Sequence, residues 1–238
     1  MQASDGVGKY GKANLRNLNS RQCETMVIRA SYFRDELVGE LDAKLRTTST
    51  LEGSCAELCQ GLQRLGFNSF AYLRFERDHQ GLPIARAISQ YPQEWCRRYV
   101  EANHFSIDPT LWQCATRITP VAWHSLRQIE TGWCESSAIF DEAHGYGLNN
   151  GIAIPLHSGN SGFSVLNATT DLYGEESERL IGVFQDIVHL MSIVFHGHIE
   201  DRIVRAKIRL PEAKFQYREI HRFVRQMEHL KASPMVQP

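Results

Sequence analysis

Between Tyr32 and Arg46 apolar side chains return at every fourth position, at Phe33, Leu37, Leu41 and Leu45, a spacing that predicts an amphipathic helix. The cluster Thr47 to Thr50 offers N-caps for a second helix, which places Leu51, Cys55, Leu58, Leu62 and Leu65 on one face and stops at Gly66. The period then shortens. Phe70–Phe75 and Ile84–Ser89 read as strands joined through the turn Asp78–Gly81. Helices are predicted over Pro92–Asn103, Pro109–Thr116 and Leu126–His144, and strands return at Gly151–His157 and Gly162–Thr169 around the turn Ser158–Ser161. A last long helix runs from Glu175 past Phe195, with Leu180, Phe184, Ile187, Val188, Met191 and Val194 as its apolar face. That order predicts an α+β fold: an α/β/α sandwich with a central antiparallel sheet of about five strands flanked by helices, plus a C-terminal helical tail.

Residues 1–27 are rich in Gly, Ser, Asn and Lys and lack periodicity, so they read as a flexible leader. With 42% hydrophobic and 22% charged residues among 238, and a net charge of −1, the chain can bury one substantial core and is not a globally basic nucleic-acid binder. The leader lacks an apolar stretch of signal-peptide type, and no uninterrupted apolar run reaches membrane-spanning length, so a cytoplasmic location is expected with no membrane partner. The six cysteines, Cys23, Cys55, Cys59, Cys96, Cys114 and Cys134, include no Cys-x-x-Cys pair. Cys55 and Cys59 read as small apolar groups on a helix. His196-Gly197-His198 could offer metal ligands, but a pair at a helix end is the better reading. Gly159–Gly162 fails the nucleophile-elbow pattern at its last position, and no phosphate loop or HExxH motif occurs. No catalytic residue, metal site or cofactor is expected, and the chain is not read as an enzyme.

The informative stretch holds Tyr91, Pro92, Trp95 and Tyr99, then Asp108-Pro109, then Pro120 and Trp123. Spaced by four, Tyr91, Trp95 and Tyr99 read as one helical face of aromatics with polar handles, suited to an apolar cavity that must fix a polar group. Each has a plainer reading: aromatics at this spacing are commonly core, and Asp108-Pro109 is an ordinary helix start.

Taken together, Tyr-Pro-x-x-Trp-x-x-x-Tyr, Asp-Pro nine residues later and Pro-x-x-Trp resemble the autoinducer-binding domain of LuxR-type quorum-sensing regulators. The resemblance covers about residues 32–200 and extends to Leu65-Gly66-Phe67, Gly147-Leu148 with Gly151, and Pro155-Leu156-His157. It implies a small-molecule ligand, an N-acyl-homoserine lactone. Trp95 would donate its indole N–H to the lactone carbonyl, Asp108 would accept from the amide N–H, and Tyr91 would bond the amide carbonyl. Trp123 would pack on the lactone ring, and Tyr99 would line the acyl channel. Asn167 stands where family members often carry Ser or Thr, which bears on the acyl substituent preferred. Ala71, Leu73, Phe75, Ala85, Ala87, Thr110, Phe163 and Val165 would form the channel walls. Without ligand, a buried Asp108 would be unpaired, a cost that would couple folding to binding.

The resemblance divides the chain into a binding domain over 28–205 and a basic helical tail over 206–238. Glu212–Glu219 resembles the opening of the family's helix-turn-helix domain, but Phe215 to Pro238 has room for about one helix (Tyr217–Leu230) and no second, recognition helix. In the segment after Asp201, Arg202, Arg205, Lys207, Arg209, Lys214, Arg218, Arg222, Arg225 and Lys231 interleave with Ile203, Val204, Ile208, Ile220, Phe223 and Val224, a pattern read as an amphipathic, solvated helix. Sequence-specific DNA binding is therefore not expected. The leading expectation is a truncated receptor that pairs through Glu175–Phe195, as a homodimer or as a heterodimer with a full-length LuxR-type regulator, and acts as an antagonist. The alternatives are an autonomous DNA-binding regulator using the basic tail, or a sink that buffers the signal.

Overall fold

The computed structural model describes residues 20–127, 136–158 and 162–232. The first part of the expected leader, Cys134, the middle of the expected helix over 126–144 and most of the turn over 158–161 lie outside these residues.

Helix α1 (Ser20–Thr47) begins inside the stretch read as a leader. The correction has a local cause: Gly6, Gly8 and Gly11 all precede this segment, and Ser20–Ser31 contains neither glycine nor proline to break a helix. Helix α2 (Leu51–Arg64) starts where the threonine cluster predicts, with the Thr50 side chain accepting from the Gly53 N–H. It ends before Gly66, whose φ of 92° only glycine adopts without strain.

Five strands follow: β1 (Ser69–Arg77), β2 (Pro83–Ser89), β3 (Val121–Ala122), β4 (Asn150–His157) and β5 (Phe163–Thr170). They form one antiparallel sheet in the order β2-β1-β5-β4-β3. The two-residue β3 is too short to leave a period in the sequence.

Between the hairpins lie α3 (Gln93–Glu101), a 3₁₀ turn (His104–Ser106), α4 (Pro109–Ala115), α5 (Trp123–Arg127) and α6 (Ser136–His144). After β5 come α7 (Gly174–Arg205) and α8 (Tyr217–Ala232).

Because strand side chains alternate, the sheet separates two cores. Phe70 and Tyr72 of β1, Ile152, Ile154 and Leu156 of β4, and Leu166 and Ala168 of β5 face α1, α2 and α7. Leu73, Phe75, Ala85, Ala153, Phe163 and Val165 face α3–α6 and α8. Fully burying each large side chain in these layers contributes about 1.5–3 kcal/mol before entropy is counted.

By length and composition α7 could cross a membrane. Here it is a core helix, with Ile181, Val188, Met191, Phe195 and Ile199 buried against the first layer. His196 and His198 lie within α7, not at its end as expected, and have separate partners. His196 Nδ1 shares a hydrogen bond with the Tyr72 hydroxyl at 2.8 Å and Nε2 with Ser158 at 3.0 Å, while His198 Nε2 meets Ser54 Oγ at 3.1 Å. Arg74 makes a two-pronged contact with Glu200 (2.7 and 3.1 Å) that ties β1 to the same helix.

Candidate functional site

The site lies on the second face of the sheet. Ala71, Leu73 and Phe75 of β1 stand opposite Asn167, Val165 and Phe163 of β5, and Ala87 and Ala85 of β2 pair with Leu73 and Phe75. All the wall residues expected from the strands therefore share one surface. Ala153 of β4 and the small Ala85 and Ala87 keep that surface shallow enough for helices to pack close.

Helix α3 supplies the aromatic cluster. Trp95 is 3% exposed, with its ring 5.9 Å from Tyr99 and 5.4 Å from Tyr146. The expectation that Tyr91 shares a helical face with them is corrected. Tyr91 precedes α3, whose N-cap position is Pro92, and a residue before proline is held away from helical geometry. From that turn the Tyr91 hydroxyl reaches inward. It is buried beside the Thr169 hydroxyl, its one polar neighbour among the described residues, and Ser69 also engages that hydroxyl. Burial pushes the Tyr91 phenol pKa up, so it stays a neutral donor.

Asp108 is the N-cap of α4 and 8% exposed. It is not unpaired, contrary to expectation. Oδ1 accepts from the Thr110 N–H (2.8 Å) and hydroxyl (2.6 Å), and Oδ2 accepts from the Tyr99 hydroxyl (2.7 Å). The reason is the cap itself: the turn that starts α4 delivers both Thr110 donors to the carboxylate. Burial still raises the Asp108 pKa, against the lowering effect of the Thr110 and Tyr99 hydrogen bonds and of His104. The Tyr99 phenol is raised by burial and by the Asp108 charge. Oδ2, with one donor, keeps acceptor capacity for another N–H.

Trp123 opens α5 and is 6% exposed. Its indole N–H donates to Asn167 Oδ1 at 3.2 Å, and its ring lies 5.2 Å from Phe140. Gly151 makes room for it, since a Cβ there would sit 2.8 Å from the Ala168 carbonyl oxygen and 3.0 Å from Trp123 Cε2. Asn167 thus orients Trp123, a role no motif announced.

Sequence reasoning missed several members of this cluster. His104 stacks on Trp95 at 5.6 Å and 27°, and its Nε2 bonds Glu142 at 2.8 Å while Nδ1 is buried without a partner. Phe105 touches Phe75 at 5.9 Å. Phe215 and Phe223 enter from the C-terminal segment. The adjacent pair His104-Phe105, between Tyr99 and Asp108, was a usable signal; of the C-terminal pair, Phe223 was legible only as part of an apolar helix face, and Phe215 only in the stretch that resembles the opening of a helix-turn-helix domain. A cleft of about 220 Å³ between α1 and α2 lies on the opposite layer, and its Glu40, Lys44, Glu57 and Arg64 are joined in ion pairs.

Residues 50–199 match the model of the autoinducer binding domain. The chain belongs to this family, the sensor domain of LuxR-type regulators. The family comprises signal receptors, not enzymes. The chain is 30% identical over 118 residues to the transcriptional activator protein AnoR of Acinetobacter nosocomialis, covering 49% of this chain and 48% of AnoR. It is 25% identical over 164 residues to the transcriptional activator protein TraR of Rhizobium radiobacter, covering 67% and 65% respectively. The chain thus spans about half to two thirds of the length of these curated relatives. Among solved structures, the N-acylhomoserine lactone dependent LuxR family transcription factor CepR2 from Burkholderia cenocepacia superposes with a TM-score of 0.60 at 18% identity, over 73% of this chain and 98% of that one. Escherichia coli SdiA gives 0.53 at 15% identity, over 85% and 92%. At these identities the likeness concerns the fold.

Proposed function

We propose that the chain is a receptor for an N-acyl-homoserine lactone, held head-first between α3, α4 and the sheet, and that it modulates transcription by pairing with LuxR-type regulators. The observation that carries the reading is the convergence of buried polar groups beside one apolar face: the Tyr91 hydroxyl, the Asp108 carboxylate and the indoles of Trp95 and Trp123. Among the described residues the Tyr91 hydroxyl meets only Thr169, and Asp108 Oδ2 accepts from Tyr99 alone, so both keep capacity for a ligand amide. In this reading Trp95 donates to the lactone carbonyl, Asp108 Oδ2 accepts the amide N–H and Tyr91 donates to the amide carbonyl. Trp123 packs on the ring, Tyr99 and Thr110 hold Asp108, and the acyl chain runs along Ala71, Leu73, Phe75, Ala85, Ala87, Val165 and Phe163. Asn167, already committed to Trp123, governs the substituent next to the amide.

Pairing through α7 is supported by its solvent side, where Val183, Leu190 and Ile193 are 57%, 41% and 47% exposed. Gly197, one further heptad beyond Leu190, leaves open space beside its backbone. An antagonist role is supported by α8, whose apolar side is buried against the sensor domain. Its exposed Arg218, Arg222 and Arg225 can meet phosphates, but a docked helix offers no base-reading element. The proposed location is the cytoplasm.

The test is mass spectrometry of small molecules retained by the chain after expression with a mixed lactone panel, beside a Trp95→Ala/Asp108→Ala control. One retained lactone, absent from the control, is the expected result. Folded protein that retains none sinks the reading. A mobility-shift assay on its own promoter region separates the modulator from an autonomous regulator: salt-resistant, sequence-selective binding overturns the antagonist role. Recovery without any regulator partner points to a sink.

A further inference from the structure

The acyl end of this face is closed by a part of the chain that lies beyond the family domain. After α7 the backbone turns at Lys207 (φ 51°) and runs along the outer edge of β2. There the Ala87 N–H donates to the Pro211 carbonyl at 3.0 Å and the Ala213 N–H to the Ala85 carbonyl at 2.9 Å. Arg86 Nη1 adds a bond to the Leu210 carbonyl at 2.9 Å. This edge pairing fixes where α8 lands.

Phe215 stacks on Phe105 (4.6 Å, 26°) and lies 5.9 Å from Tyr99. From α8, Phe223 is 1% exposed, with its ring 4.8 Å from Phe75, 4.7 Å from Trp112, 5.6 Å from Phe105 and 6.1 Å from Phe163. Phe75 and Phe163 are directly paired across β1 and β5, at one end of the wall. At the other end, Asn167 holds Trp123 and Thr169 lies beside Tyr91. Asn167 and Phe163 are four positions apart along β5, a span of about 13 Å. A chain that leaves the polar head group along the strands therefore meets Phe223.

We propose that α8 is the far wall of the ligand site, and that Phe223 sets the length of acyl chain the site accepts. The inference rests on the lactone reading above. A mobile alkyl chain and the Phe223 ring compete for the same aromatic surround, so the site favours chains that end short of the ring. Longer chains must displace α8 from the sheet edge.

The test uses the full chain and its Phe223→Ala and Phe223→Leu variants, with unsubstituted N-acyl-homoserine lactones from butanoyl to dodecanoyl. In the wild type, affinity should rise with acyl length and then stop. In Phe223→Ala the rise should continue to longer chains, strengthening about fourfold per additional methylene seated, with Phe223→Leu between the two. If Phe223→Ala does not fold, a later cut-off in Phe223→Leu alone carries the proposal. The same cut-off in the wild type and in every folded variant overturns it and leaves the receptor reading standing. Wild-type protein that is folded by circular dichroism but binds no member of the series overturns both.

Discussion

Asp108 is both a helix cap and, in the proposed complex, the acceptor for the ligand amide, and two substitutions separate these roles. Asp108→Asn keeps a capping oxygen for the Thr110 N–H and an amide that can donate to the Tyr99 oxygen. It also removes a buried charge. Stability should therefore change by no more than about 1 kcal/mol in either direction. Asp108→Ala loses the cap, about 1 kcal/mol, and leaves the buried Thr110 and Tyr99 hydroxyls without their acceptor, for a total of about 2–4 kcal/mol. Ligand binding should follow a different order. The amide of Asp108→Asn would face the ligand N–H with a donor, so both variants lose a charge-assisted bond of about 1.5–3 kcal/mol, roughly ten- to a hundredfold in affinity. The raised pKa of Asp108 gives a second signature. The folded chain holds that proton more tightly than the unfolded one, so its stabilising effect is full below the unfolded value and lost as pH rises through the folded value. The gap between Asp108→Asn and wild type should thus move in favour of the variant as pH rises across that window. Urea titrations at several pH values, paired with lactone binding on the same samples, measure all three. Equal destabilisation by Asn and Ala, or undiminished affinity in Asp108→Asn, refutes the division of roles.

Tyr91→Phe removes a buried hydroxyl whose one polar neighbour among the described residues, Thr169, keeps Ser69 as a partner, so the unliganded chain should change in stability by no more than about 1 kcal/mol, while lactone affinity falls roughly two- to tenfold; an affinity left unchanged, or a larger loss of stability, contradicts this. Burial lowers the His196 pKa, with Glu200 opposing and Arg74 and His157 adding to the shift. The unfolded chain takes the proton first as pH falls, so stability should decline as pH falls through the ordinary histidine range toward the lower folded value, and His196→Gln should flatten part of that slope. His189 and His198, lowered by burial in the same direction, leave a remainder; an unchanged slope refutes the assignment. Leu190→Glu with Ile193→Glu should convert a dimer to a monomer in sedimentation at micromolar protein, with the melting temperature of the monomeric unit preserved; a persistent dimer removes α7 from the interface.

What the sequence revealed, and what it hid, follows from the range over which each signal acts. The caps and breakers of α2 and the hairpin turn at Asp78–Gly81 depend on neighbours within a few positions, and the Thr50 and Asp78 side chains do bond the backbone there. In β1 the apolar run Phe70–Leu73 is buried throughout, so the wall positions Ala71, Leu73 and Phe75 came from the resemblance and not from alternation. In β5 every position is buried, and alternation alone cannot say which side chain faces which core. The aromatic motif was legible as a motif, but its geometry was not: Pro92 removes Tyr91 from the helix that Trp95 and Tyr99 share, and the same turn aims the phenol inward.

The least legible parts depend on contacts between distant segments. Asp108 was expected to lack partners because its donors were sought in a ligand, whereas the fold supplies Tyr99 from α3 and Thr110 from the cap. The spacing of Ile220, Phe223 and Val224 among basic residues read as an amphipathic helix, and Arg218, Arg222 and Arg225 are indeed solvent-exposed. Nothing within the helix could say what covers the other side. That is decided by the free edge of β2, where two backbone hydrogen bonds dock the preceding segment and so deliver the helix to the sheet. An unpaired strand edge tends to acquire a partner, and here the partner comes from the same chain. The proposed head-group site and the C-terminal segment are thereby joined through Tyr99, Phe105 and Phe215 into one packed cluster. In the proposed complex a ligand that moves Tyr99 would press on Phe215, just before α8, which would link binding to the disposition of the basic helix by direct contact.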